Sequence, residues 1–97
     1  MAKKRVKVET CDALHATVYF QEKSDLSPNA LVTEVDFYYR SFDGTDARNR
    51  ITREMTKMLN AYGKILNTVE IEHVSDFPVK ELFSTAMVEE LVKNSTL

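Results

Sequence analysis

From Leu14 to Gln21 the chain alternates without interruption, with Leu14, Ala16, Val18 and Phe20 on one parity and His15, Thr17, Tyr19 and Gln21 on the other. A period of two marks a strand with one buried face, so this segment predicts a strand whose apolar set lies in the core. A fainter version opens the chain, where KRVKVET sets Val6 and Val8 between charged residues and predicts a preceding strand. LVTEVDFYYRSF resumes the pattern with branched and aromatic residues. Here Leu31, Val35, Phe37 and Tyr39 are expected inward, and Glu34, Asp36, Tyr38 and Arg40 outward. SDLSPNA, between these two runs, clusters residues that stabilise turns through side-chain hydrogen bonds or a fixed φ.

At DGTD the period lengthens to that of a helix. Ala47, Ile51, Met55, Met58, Leu59 and Tyr62 recur at three and four residues, which predicts an amphipathic helix with one apolar stripe. Asp43 or Thr45 is expected to cap its first amides, and Gly63 to take the left-handed position past its end. ILNTVEIEHV returns to alternation, with Val69 and Ile71 inward and Glu70 and Glu72 outward. Pro78 predicts the start of a second helix, because the amide hydrogen it lacks would be unused there. Val79, Leu82, Phe83, Ala86, Met87 and Leu91 form the expected buried stripe. The resulting order is βββαβα. It predicts an α+β fold in two layers, a mostly antiparallel four-stranded sheet with two helices on one face and the other face left open.

Size and composition narrow the function classes. Ninety-seven residues suit a single domain over 1–97, able to bury about 60–65% of the unfolded chain's surface, with residues 1–4 read as a disordered basic arm. Cys11 is the lone cysteine, and one Cys with two His cannot close an ordinary zinc site. No uncharged apolar run approaches the roughly 20 residues of a membrane span, and MAKKRVKVET has no apolar segment of the kind a leader needs, so a cytoplasmic location is expected. Two glycines cannot build a glycine-rich phosphate cradle, and no metal or other cofactor is expected.

Two small constellations have the right residue types for catalysis. Cys11 near Asp12 and His15 pairs a thiol with an imidazole, but the flanking Glu9 and Asp12 disfavour the thiolate. His73 and Asp76 pair an imidazole with a carboxylate at a strand end, a combination that chance supplies readily. Neither is expected to be catalytic, and the chain reads as no enzyme.

Charge changes the picture more. Residues 1–10 carry four cations against one acid, and so do residues 48–57; with a formal total of −2, the other 77 residues sum to −8. Arg48, Arg50 and Arg53 fall in the first turns of the predicted helix, where its dipole disfavours cations by about 0.3–1 kcal/mol each, and Lys57 follows further along. Arg50, Arg53 and Lys57 line the solvent side, where long charged side chains are the ordinary covering of an exposed helix and where a partner can also dock. The open sheet face should carry Tyr19, Tyr38 and Arg40 among Glu34, Asp36, Glu70 and Glu72, a composition suited to protein contact and poor for RNA. The expected function is therefore a small protein-binding or regulatory accessory module. It acts through Arg48, Arg50, Arg53, Lys57, Tyr19, Tyr38 and Arg40, with an acidic protein on the helix and a homodimer formed through the sheet face or a strand edge. The alternative is nucleic-acid binding through the arginine-rich helix together with Lys3, Lys4 and Arg5.

Overall fold

A computed structural model describes residues 7–41 and 46–95. Its elements are β1 (Thr10–Glu22), β2 (Thr33–Arg40), α1 (Ala47–Ala61), β3 (Lys64–Pro78), a short 3-10 turn at Val79–Glu81, and α2 (Thr85–Asn94). The class is α+β as expected, but the order is ββαβα and the sheet has three strands in the order β2-β1-β3. Both pairings are antiparallel, so β2 and β3 run the same way on either side of β1 and α1 joins them in a split βαβ arrangement.

The strand expected at KRVKVET does not form among the described residues: Lys7, Val8 and Glu9 lie outside the sheet and Val8 is 56% exposed. Val6 lies outside the described residues. Two valines offer little apolar area to order a strand, and β1 already has a neighbour along each edge. Leu31 is a second correction. It was expected in the core, but β2 starts two residues later and Leu31 is 80% exposed in the loop before it. That loop is organised by its polar residues, since Asp25 Oδ1 accepts from the Ser27 backbone and hydroxyl at 3.2 and 2.8 Å, and so turn chemistry decides its path.

The core sits between the sheet and the helices. Leu14, Ala16, Val18 and Phe20 from β1 meet Val35, Phe37 and Tyr39 from β2 and Val69 from β3, and all are buried, as the alternation requires. Ile51, Met55 and Leu59 close this core from α1, Val88 and Val92 from α2. One shared cluster puts both helices on the same side. Helix α1 ends as expected, with Gly63 at φ +72°, a value that favours a residue without a Cβ. The expected caps Asp43 and Thr45 lie outside the described residues; Asp46 occupies the cap position with no side-chain capping bond.

The second helix departs from expectation. Pro78 closes β3 with extended backbone, and α2 begins seven residues later, at Thr85. Ser84 caps it, its hydroxyl accepting from the Met87 amide at 3.2 Å. The Phe83 amide donates to the Tyr38 carbonyl of β2 at 2.8 Å, which holds the approach to the helix extended along the sheet. The buried stripe is consequently Val88 and Val92, with Phe83 and Leu91 half-buried beside them, while Ala86 is exposed and Met87 is 47% exposed.

Two register shifts shape β3. Tyr19 pairs with Thr68 and Phe20 with Leu66, leaving Asn67 as an extra residue; Cys11 pairs with Phe77 and Ala13 with Val74, leaving one extra residue at Ser75–Asp76. Asp76 takes φ +56° there. Beyond Asn67 the parity is reversed, so Lys64 faces the helix side opposite Glu22. It is 2% exposed, donates to Glu22 Oε1 at 2.7 Å, and lies 5.7 Å from the Phe20 ring centre.

Candidate functional site

The outward parity of the three strands assembles one polar surface. Asp36, Thr17 and Glu70 form one row across β2, β1 and β3; Tyr38, His15 and Glu72 form the next; Glu34, Tyr19 and Thr68 the third. Glu34, Asp36, Glu70 and Glu72 are all exposed. Tyr19 stands among them. Its hydroxyl hydrogen-bonds to Glu70, and this bond, then burial and the Glu34 charge, push the phenol up to about 12. A neutral phenol is retained because a second negative charge beside these carboxylates is unfavourable.

Tyr38 belongs to an aromatic stack. Its ring lies 4.5 Å from the His15 ring and 4.4 Å from the Phe77 ring, both nearly parallel to it. His15 Nε2 in turn lies 3.0 Å from Asp36 Oδ2. A helix start at Pro78 would end the strand before Phe77, but β3 runs on to Pro78 and includes it. The available signal was the position before a proline, which favours extended backbone. Paired with Cys11, Phe77 is brought to the open face and walls off one end of the acidic field.

The expected helix residues divide into two groups. Arg48, exposed beside the helix start, reaches the sheet: its Nη1 donates to the Val69 carbonyl of the edge strand β3 at 2.6 Å. An arginine this early in the helix thus ties the helix to the sheet, an interaction of about 0.5–1.5 kcal/mol that offsets its unfavourable place in the dipole. Arg50, Arg53 and Lys57 remain on the outer face, all exposed. Arg40, at the end of β2, and Arg50 line one cleft of about 320 Å³ with Tyr39, Glu54 and Thr85. Arg40 shares the outward parity of Tyr38, one row further along β2, and contributes to this cleft at the strand's end. Tyr39 is raised above the ordinary phenol value, chiefly by burial and then by the Glu54 charge.

The catalytic constellations do not converge. Cys11 and His15 lie four residues apart along β1, about 13 Å on an extended strand. His73 precedes the bulge and Asp76 lies within it, with no bond between them among the described residues. Among the described residues, no group of three or more His, Cys, Asp or Glu is placed to hold a metal ion, and no helix is long and apolar enough to cross a membrane. What the arrangement offers is surface: four carboxylates around aromatic rings on one side, and a row of three cations on the helix that covers the other side. The chain matches no protein-family model, no curated protein and no solved structure.

Proposed function

We propose that this chain is a non-enzymatic protein-binding module, with the anionic sheet face as its principal contact surface and a cationic protein segment as the occupant. The observation that carries this is the gathering of Glu34, Asp36, Glu70 and Glu72 on a face that neither helix covers. Carboxylates on both flanks of β1 complement lysine and arginine side chains, and Tyr19 and Tyr38 supply contact area at low entropic cost. The outer face of α1 is the secondary surface, suited to an acidic protein.

Titration with a short arginine- and lysine-rich peptide, followed residue by residue in amide NMR spectra, tests the principal surface. Saturable shifts confined to β1, β2 and β3 and abolished by Glu70→Lys with Glu72→Lys are the expected result; shifts scattered over the molecule reject it. For the secondary surface, Arg50→Glu with Arg53→Glu is expected to leave folding intact and abolish capture of an acidic peptide. The nucleic-acid alternative rests on the three aligned cations, and a log–log salt slope near −0.9 per duplex phosphate contacted would support it.

A further inference from the structure

Resting on that reading, we propose that the occupant of the sheet face is the cationic α1 face of a second copy of this chain, so that copies stack front to back. The two surfaces lie on opposite sides of one molecule, because the helices share a core on one side of the sheet and the acids stand on the other. Their dimensions agree. Arg50, Arg53 and Lys57 span seven residues of helix, about 10 Å of axis. Glu34 and Asp36 on β2 are two strand spacings, about 10 Å, from Glu70 and Glu72 on β3, with about 7 Å between the acids along each strand. A row of three cations therefore spans the acidic field from one flank to the other.

The counter-charges do not reverse either sign. His15 lies 3.0 Å from Asp36, and Glu54 shares the cleft with Arg50. Counted as fully charged, they leave the sheet face at −3 from its four acids and the helix face at +2 from its three cations. Arg40 stands one row beyond Tyr38 with the same parity, and counting it with the sheet face still leaves that face at −2. Tyr19 adds a ring on which a guanidinium can stack, while both faces of Tyr38 are taken by His15 and Phe77. The contact joins two different surfaces. It is heterologous, each stack keeps one unused face at either end, and growth continues with concentration where a two-fold pairing would stop at two.

Sedimentation velocity of three proteins tests this: the wild type, an Arg53→Glu/Lys57→Glu variant and a Glu70→Lys/Glu72→Lys variant, each checked for folding by circular dichroism. In low salt the wild type is expected to pass from monomer through dimer to larger species as concentration rises, and to return to monomer in 1 M salt, where the screening length is about 3 Å. Each variant alone is expected to lose roughly tenfold or more in association, and an equimolar mixture of the two to recover it, since each then meets its opposite. Arg53→Gln with Lys57→Gln should fall between wild type and reversal. A wild type that stays monomeric at every concentration, stops at a dimer the reversals do not affect, or fails to be restored by mixing overturns the stacking. The peptide titration reports separately on the binding-module reading, which survives that outcome if the sheet face still takes up the cationic peptide.

Discussion

The two helices are held in place by different means. Helix α1 places Ile51, Met55 and Leu59 in the core with no exposed surface, and its cap residue makes no side-chain capping bond. Helix α2 is five residues shorter and buries two valines completely, and its first turn is closed by Ser84. One helix is fixed by the apolar area it removes from water, the other by local hydrogen bonds as much as by burial. The difference teaches that a poor N-terminus is tolerable where three large side chains anchor the stripe, and that a short stripe depends on its cap.

The largest test of this contrast is Leu59→Ala, expected to cost about 2–5 kcal/mol by denaturant unfolding, because a full side chain leaves a packed site. A loss under about 1 kcal/mol would mean that the core does not close on α1. Val88→Ala should cost about 1.5–2.5 kcal/mol from its lost methyl groups and the space they leave, whereas Met87→Ala one position earlier should stay within about 0.5 kcal/mol. Equal losses at the two positions would restore the stripe expected from the sequence and erase the observed one.

At the helix starts, Ser84→Ala is expected to cost about 1 kcal/mol and to speed amide exchange throughout α2, while Asp46→Ala should change little. The smallest effect is a pH response at the contact between the helices. The Tyr62 hydroxyl donates to the Glu89 carboxylate, and this bond first, then burial, raises its ionisation above the ordinary 10.0. A raised folded value means that the contribution is complete below pH 10 and disappears as the pH climbs through that raised value. Glu89→Gln should bring the phenolate absorbance step back toward 10; an unmoved step would show that the carboxylate is not the cause.

How much of this was legible in the chain depends on the range of the forces involved. Strict alternation at Leu14–Gln21 and helical spacing at Ile51–Leu59 report directly on which side of an element is buried, and both hold in the structure. The quarter of the molecule after Val74 departs from expectation because its organisation is set by partners distant in sequence. Pro78 is a plausible helix start until Thr10 pairs with it, and Phe83 is a plausible stripe residue until its amide bonds to Tyr38. The bulge at Asn67 has no local signal at all, yet it turns Lys64 inward. On the candidate surfaces, the acids and tyrosines of the sheet follow from parity alone. The placement of Arg48 on a strand carbonyl does not, because nothing near it in sequence names Val69.

The irregular course of β3 has a consequence for life at high concentration. Fifteen residues of edge strand would ordinarily offer a long template on which unfolding neighbours could assemble into fibrils. The kinks at Asn67 and Asp76 divide that template into short lengths, and a guanidinium from α1 occupies one carbonyl between them. Straightening the strand by deleting Asn67 would therefore be expected to trade solubility for a cross-β deposit.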